Sequence, residues 1–577
     1  YIWSLLVGCV AFATSCDLTE NVQVKADKSM IFGSKSGLEL YSNSFYKALP
    51  TLKNGFMQDK MCDVGAVSNT DTFIKQGAYN TETATSWSWG ALKNVNYFID
   101  GCNDPKYCTV EAETRDNYLG IARWFRAWFY YDKLTTYGEV PWFPNDIQSY
   151  QNDVMYKDRD SRDVIIRNLI ADLDFAYEHI QATSSTGSAT LTRWAAAALK
   201  SRVCLFEAAY RRYHNLTGLE ITPEELYREA AKAAKLVIDN SGCSLNTAAG
   251  KKGAYRDLFY SETPLTQEVI LAVCANEKSG IFGEQNWWFN ARSYGLCWSL
   301  VRSFVHTYLK QDGTPFTAAA DYAVKSFAEE MEGRDLRLEQ TVRGRNFLWD
   351  GKTAVADIKN LSLTGYQVIK YTLDESKYDG GAKNINSIPL IRYAEVLLNY
   401  AEAQAELGVI TDSEWALTVG ALRKRAGITG GTETLPTTVD SYLQRTFYPD
   451  VTSPVLLEIR RERAIELVAE GMRFDDLRRW KCGSLMETLP WSGIHIPGLE
   501  QPVDVNGDGV NDYYFTEGEV ASAPAAYKNI AVRVNQDGVG LYAEANPVSG
   551  YDLVYKTGAG DRYWYPDGRQ SLYPIPA

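Results

Sequence analysis

Histidine is scarce in this chain. Four occur in 577 residues, at His179, His214, His306 and His495, and no His-Glu-x-x-His pair exists to hold a catalytic zinc. No Gly-x-Ser-x-Gly elbow occurs, which removes a serine hydrolase of that type. Gly351-Lys352-Thr353 has the ending of a phosphate loop, but position 346 is Asn where that motif needs Gly. Positive charge is also short: 59 Lys and Arg stand against 72 Asp and Glu, a formal net charge of −13. That balance excludes a general nucleic-acid surface, which needs concentrated Lys and Arg. Past Ala13 there is no apolar run of membrane length. The catalytic reading left open is a pair of carboxylates for glycoside hydrolysis.

Aromatic residues, by contrast, make up 13% of the chain, with 37 Tyr and 15 Trp. Most such rings are core, but some cluster in polar, glycine-containing stretches. Sugars are held by rings stacked on their C–H faces, with amide, carboxylate or guanidinium groups bonding the hydroxyls. Ile281 to Trp298 has that mixture: Phe282, Trp287, Trp288, Phe289, Tyr294 and Trp298, interleaved with Gln285, Asn286, Asn290 and Arg292. Trp287, Trp288, Phe289, Arg292 and Tyr294 are the leading candidate ligand contacts, balanced evenly against a packing role. Tyr79 and Trp87 form a second patch and Trp349, beside Asp350, a third. Trp124 and Trp128 fall in a helical pattern and are expected in the core.

Asp504, Asn506, Asp508 and Asp512 place oxygen donors at positions 1, 3, 5 and 9 of a calcium-type loop, with Gly509 at position 6. Position 12 is Phe515, so the usual bidentate acid is missing unless Glu517 or Glu519 replaces it. A structural Ca2+ is expected here, against the alternative of a metal-free Asn-Gly/Asp-Gly turn.

Helical periodicity dominates two parts of the chain. Ile165, Leu169, Leu173, Ala176 and Ile180 share one face, as do Trp194, Ala198, Ser201, Leu205 and Ala208. Thr222-Pro223-Glu224-Glu225 is a capping box with Pro at the first helical position. Leu390, Ala394, Leu397, Ala401 and Ala405 make a stripe stopped by Gly408; Thr411 and Glu414 then cap a second helix running to about Gly427. Helices joined by such short turns form antiparallel hairpins of the tetratricopeptide kind. Glu268 to Val273 reads as a strand. From Gly242 to Ile388, and again after Lys481, periodicity weakens and long loops are expected.

The first residues carry a different signal. Ile2 to Ala13 is apolar, uncharged and too short to span a bilayer, as in the apolar core of a signal peptide. Ala13-Thr14-Ser15-Cys16 resembles the lipobox of a bacterial lipoprotein, with Cys16 as the lipidated residue. The first basic residue is Lys25 and there is no initiator Met, so the sequence is read as clipped at its N-terminus. Cys204 and Cys274 sit in apolar runs, and the turn between Cys102 and Cys108 allows a local disulfide.

The most informative stretch is Arg460 to Trp480. Glu458, Glu462, Glu466 and Glu470 recur every four residues and would align on one helix face, with Arg461, Arg463 and Arg473 spaced to neutralise them. A structural ion-pair network is the expected reading, ahead of a catalytic carboxylate cluster. These residues strongly resemble the C-terminal signature helix of the SusD/RagB family, nutrient-binding outer-membrane lipoproteins of Bacteroidetes-type bacteria. Further family-like segments are Arg123-Trp124-Phe125-Arg126-Ala127 with Tyr137-Gly138-Glu139-Val140-Pro141, Ala171-Asp172-Leu173, Asp312-Gly313, Gly333-Arg334-Asp335-Leu336-Arg337-Leu338 and Ile388 to Gly408. Tyr573-Pro574-Ile575-Pro576 resembles the closing motif, without the family's Asn-rich tail.

The resemblance implies a mostly α fold. Residues 1–16 would be the signal peptide and 17–577 one SusD-like domain. A helical-repeat scaffold is expected at about 110–240 and 388–481, and loop-rich ligand-binding regions at about 40–100, 242–387 and 482–577. It implies a lipid-anchored outer-membrane protein facing the cell exterior. Such a protein captures a glycan without chemistry and delivers it to a SusC-like TonB-dependent transporter. Ile281 to Trp298 would lie just before a helix around Leu300 to Tyr308 that carries part of the family's glycan site. The alternatives are the same fold binding peptides or another nutrient, a surface hydrolase with two acids about 5–10 Å apart, and a helical adaptor without clustered aromatics.

Overall fold

The computed structural model describes residues 28–55, 59, 61–77, 79–82, 84, 87–148, 150–182, 188–290 and 297–576. Cys16, Arg292 and Tyr294 lie outside the described residues. The helices used below are α1 (Gly90–Asn103), α2 (Ala112–Tyr137), α3 (Arg162–His179), α4 (Arg193–Tyr213), α5 (Pro223–Asn240), α6 (Gln285–Asn290), α7 (Tyr393–Glu406), α8 (Asp412–Leu417), α9 (Val419–Arg425), α10 (Pro454–Glu466) and α11 (Arg473–Arg479). The strands are β1 (Val269–Val273), β2 (Leu348–Trp349), β3 (Lys352–Thr353), β4 (Ile388–Arg392), β5 (Ser492–Ile496), β6 (Pro502–Val503), β7 (Tyr513–Thr516), β8 (Ala531–Arg533), β9 (Leu541–Ala545) and β10 (Tyr551–Tyr555).

The fold is mostly helical. Helices α1 to α5 stack in chain order, each chiefly against the one before it; α7 then packs on α5, and α10 on α7. The small-residue face of α4 explains the close approach: Ala195, Ala196, Ala198, Ser201, Ala208 and Ala209 are all buried. Thr222 and Glu225 form the capping box at the start of α5, and Thr411 and Glu414 the one at α8. The single helix expected from Thr411 to Gly427 is instead two, broken at Thr418.

The family-like motifs hold this scaffold together. Asp172 on α3 takes a 2.6 Å hydrogen bond from Arg123 and paired bonds of 2.7 Å from Arg126, both on α2. The helix expected to run from Glu458 to Trp480 ends at Glu466. Ala469 (φ 66°) and Gly471 (φ 82°) turn the chain before α11. The carboxylate row persists across that turn. Glu466 is fully buried and meets Arg337 at 2.7 Å, Arg392 at 2.6 Å, and Arg425. Glu462 meets Arg337 and Arg423; Glu470 meets Arg392 and Lys370, each at 2.6 Å. Burial pushes the Glu466 carboxyl up, but Arg425, Arg392 and Arg337 outweigh it and hold it well below the usual carboxylate range.

Arg461 does pair with Glu458 at 3.0 Å, as its spacing predicts. Arg463 and Arg473 do not serve the row: they hold Asp476 and Asp63 instead. Helix spacing finds only local partners, and the cations that matter most come from distant segments.

Residues after 482, expected as loops, contain short strands. β9–β10–β5 form one three-stranded antiparallel sheet, and β8–β7–β6 another with β8 parallel to β7. Strands of two to five residues are too short to display alternation. The predicted strand at 268–273 is β1, paired antiparallel with β4. A second core, with Tyr255, Phe289, Trp298, Tyr308, Tyr366 and Phe515, fills the loop-rich part. Cys102 and Cys108 are free thiols, with Cys102 on the buried face of α1. Cys204 is fully buried and Cys274 partly so. Among the described residues no helix is long and apolar enough to cross a membrane.

Candidate functional site

Helix α6 is one and a half turns long and is fixed by side-chain amides rather than by its own ladder. Asn286 donates to the Leu373 carbonyl at 2.8 Å and accepts from the Leu373 N–H at 2.7 Å and from Asn384 at 2.7 Å. Its backbone N–H reaches Asn384 Oδ1 at 2.8 Å. Gln285 and Asn286 are fully buried. The helix is therefore riveted to residues 373–386, and its register decides which rings face outward.

Phe289 faces inward. At 3% exposure it belongs to the core near Trp298, and it is withdrawn as a ligand contact. Trp287 and Trp288 are half-buried, edge to face, with centroids 4.8 Å apart. Trp288 Nε1 donates to Glu284 at 3.3 Å, and Glu284 pairs with Lys53 at 2.8 Å. At the helix end Asn290 accepts from Gln367 at 3.2 Å and donates to Asp379 at 3.1 Å. Burial raises the Asp379 carboxyl, while Asn290, Asn286 and Arg343 work against it. The helix expected around Leu300 to Tyr308 is confined to Arg302–Val305.

The same 373–379 segment carries Trp349. Trp349 ends β2, and Asp350 (φ 50°) and Gly351 (φ 74°) turn the chain into β3. An Asp-Gly pair suits a two-residue hairpin turn because both positions need positive φ. The Asp350 N–H donates to the Asp374 carbonyl at 3.1 Å, and Asp350 Oδ1 accepts from Ser376 N–H at 2.9 Å. Arg256 grips the Asp374 carboxylate with bonds of 2.8 and 2.5 Å. Arg343 lies against Phe347 and Trp349, its Cζ 5.2 Å from each ring centroid. α6 and the hairpin thus share one anchor, residues 373–379, with Asn290 bonded to Asp379 on the α6 side and Arg343 against Trp349 on the hairpin side.

Arg343, Asp379 and Arg256 were not singled out from the sequence. The one available signal was the alternation Arg343-Gly-Arg345-Asn-Phe347-Leu-Trp349, which puts cations and rings on neighbouring turns of one loop.

Tyr79 and Trp87 sit elsewhere. Trp87 packs edge-on against Trp89 and Tyr137 at 5.1 and 4.9 Å, at the end of α2. Tyr79 meets Tyr565 at 6.2 Å, with the Arg569 guanidinium over both. Trp124 is fully buried and stacks on half-buried Trp128, as expected of core residues. A cavity of about 920 Å3 lies between α2, residues 44–55 and α11, lined by Phe125, Trp128, Tyr131, Asp132, Arg202 and Arg478 among others. None of the sequence-selected ligand residues lines it.

The 504–512 loop closes the β6–β7 hairpin. Both Asp504 oxygens accept backbone N–H groups, from Gly507 at 2.8 Å and Gly509 at 2.7 Å. Asn506 and Asp508 accept from Asp508 and Val510 N–H. Phe515 is core, and Glu519 pairs with Arg533 at 3.0 Å. Among the described residues no three His, Cys, Asp or Glu converge as a metal site. The Asp512 carboxyl is nevertheless raised, by burial and then by Asp504 and Asp508. Each carboxylate retains acceptor capacity beyond these N–H bonds, so the donors suit a hard cation once drawn together.

The histidines have structural partners. His306 Nε2 lies 2.9 Å from Glu330, His495 Nδ1 3.0 Å from Asp552, and His214 Nε2 2.8 Å from the Arg478 carbonyl. His179 packs on Phe175.

Comparison with known proteins agrees with this architecture. A SusD-like carbohydrate-binding protein from Bacteroides fragilis NCTC 9343 superposes with a TM-score of 0.68 at 19% identity, covering 95% of this chain and 98% of that one. A second SusD-like protein from the same organism gives 0.64 at 21% identity, covering 96% of each. A structure determined with a xylogluco-oligosaccharide gives 0.51 at 18%, covering 77% and 82%. No curated protein sequence matches. A sequence model of the SusD family matches residues 267–577, more than half of the chain, so this protein belongs to the SusD family.

Proposed function

We propose that the protein is a cell-surface lipoprotein that captures an oligo- or polysaccharide and passes it to a SusC-like TonB-dependent transporter, without cleaving it. The observation that carries the reading is that half-buried Trp287 and Trp288 on α6 and half-buried Trp349 on the hairpin are anchored to one segment, 373–379, with Asn290 bonded to Asp379 and Arg343 against Trp349. Rings supply stacking faces, and the polar groups between them bond hydroxyls. One relative is described as carbohydrate binding and another was crystallised with an oligosaccharide. Tyr79 and Trp87 are a second contact area for a long chain. Affinity electrophoresis through polysaccharide gels tests the reading; release of reducing ends by the pure protein would replace it with the hydrolase reading.

The anchor is assigned to Cys16. One acyl chain holds weakly, and a multiply acylated cysteine holds stably. Cys16→Ala should move the protein from the outer-membrane fraction to the soluble one in cells lacking the transporter. Retention in the membrane refutes the assignment.

We also propose that Asp504, Asn506, Asp508 and Asp512 hold a structural Ca2+. Burial first, and then Asp504 and Asp508, raise the Asp512 carboxyl, and a cation would offset the like-charge part; a ligand bound only by the folded state also stabilises it. Excess chelator should therefore lower the melting temperature, and calcium should restore it. No change, with no metal found by elemental analysis, would leave a plain turn.

A further inference from the structure

We infer that the cavity between α2, residues 44–55 and α11 is a second binding site, and that it takes an ammonium group carried on an apolar body, with Asp132 as its counter-ion and Trp128 as its ring face. The site needs no glycan, so it stands or falls apart from the capture reading.

Its size suits a small molecule: about 920 Å3 lies within the roughly 300–1,000 Å3 of ligand pockets. One helix face supplies the chemistry. Trp128, Asp132 and Thr136 follow one another at four-residue spacing on α2, with Phe125 and Phe129 beside them, and all five line the cavity. Trp128 is half-buried, its ring stacked on Trp124 with centroids 5.4 Å apart. Met472 and Phe474 add apolar surface from the α11 side.

Asp132 is the odd member of this wall. Its side chain is 66% exposed, while Lys133, Leu134 and Thr135, which follow it, are all buried. Yet burial is the first cause that raises its carboxyl. Both hold when the surface that Asp132 shows belongs to the cavity rather than to the outside of the molecule. Its ion pair among the described residues is with Lys133, at 3.5 Å. Other charged groups of the wall are closed more tightly. Arg202 grips Glu395 with two bonds of 2.6 Å, Glu470 meets Lys370 at 2.6 Å, and Asp475 pairs with Arg478.

The sign of the local charge selects the guest. Asp475 raises the Asp132 carboxyl further, against Lys133 and Arg478, and it also raises the neighbouring Tyr131 hydroxyl, against Arg202. Tyr131 lines the same cavity, and its hydroxyl makes no hydrogen bond to a described residue. A cationic N–H supplies what these groups lack, a donor and a positive charge. A carboxylate or sulfate would add a further anion beside Asp132 and Asp475. Lys47, the cation on the 44–55 side, is exposed and already solvated. An ammonium held at Asp132 stands one helical turn from Trp128, where the ring face attracts it, and the apolar wall covers the body that carries it.

Calorimetry compares wild type, Asp132→Asn and Tyr131→Phe against tryptamine, hexylamine, uncharged 3-methylindole and anionic indole-3-propionate, with melting temperatures in parallel. Wild type should prefer tryptamine to 3-methylindole and to indole-3-propionate. Asp132→Asn should lose about tenfold or more in affinity for both amines and keep its affinity for 3-methylindole. Tyr131→Phe should lose less. Wild-type affinity for tryptamine should fall as pH drops and Asp132 takes up a proton, and Asp132→Asn should show no such fall. Retardation by polysaccharide gels should be equal in wild type and Asp132→Asn. Equal binding of tryptamine and 3-methylindole, or a preference for indole-3-propionate, overturns the ammonium class. Unchanged amine affinity in Asp132→Asn overturns the role of Asp132. If that variant melts far below wild type, the wild-type pH dependence decides instead: affinity flat from neutral to mildly acid pH overturns the same role. No binding of any of the four probes overturns the site. Gel retardation lost in a well-folded Asp132→Asn makes the cavity part of the glycan path and overturns its separateness.

Discussion

Glu466→Ala is expected to yield little folded protein. Its side chain faces Arg337, Arg392 and Arg425 with no solvent access, so truncation takes one carboxylate from three buried cations, which keep Asp335 and Glu462, Glu268 and Glu470, and Glu268 respectively. Breaking a buried pair in this way costs about 3–5 kcal/mol, against a total stability of roughly 5–15 kcal/mol for a typical domain. Three cations lose a partner at once, and Glu268 is left to serve both Arg392 and Arg425. Glu462→Ala should act in the same direction through Arg337 and Arg423. Glu519→Ala is the control: its pair with Arg533 is solvent-exposed, and such pairs contribute about 0–1 kcal/mol. Yield and melting temperature are the readouts. A well-folded Glu466→Ala protein that has lost only ligand binding would move the carboxylate row from scaffold to site.

The second large effect concerns binding. Trp287→Ala with Trp288→Ala should weaken the glycan found by gel screening by well over tenfold. Losing a central aromatic anchor costs about 2 kcal/mol or more. Trp288 is also tied to Glu284 and packs on the second core, so each single change is measured beside the double one. Calorimetry against the isolated oligosaccharide, with melting temperatures in parallel, separates the outcomes. Retained affinity would shift the site to Tyr79 and Trp87. A fall of many degrees in melting temperature would show that these rings serve packing.

The helices were legible because their signals are local. Apolar stripes, capping boxes at Thr222 and Thr411, and the stop at Gly408 all act within one or two turns. The break at Thr418 and the turn at Ala469 were not legible, since neither residue advertises one. In the site, sequence reasoning found Trp287, Trp288 and Trp349 as rings in polar loops. It misplaced Phe289, because one residue's shift along α6 is 100° of rotation and the amide network that sets the rotation is long-range.

The carboxylate row also gathers distant parts of the chain onto one late segment. Arg337, Arg392, Arg423 and Arg425 all precede in the chain the glutamates that neutralise them, Glu458 to Glu470. Of these cations Arg337 also holds Asp335, and Arg392 and Arg425 also hold Glu268, whereas Arg423 pairs with Glu458 and Glu462. The packing of α10 on α7 and α9 therefore joins segments more than a hundred residues apart through one row of carboxylates, so damage to that row reaches several parts of the fold at once.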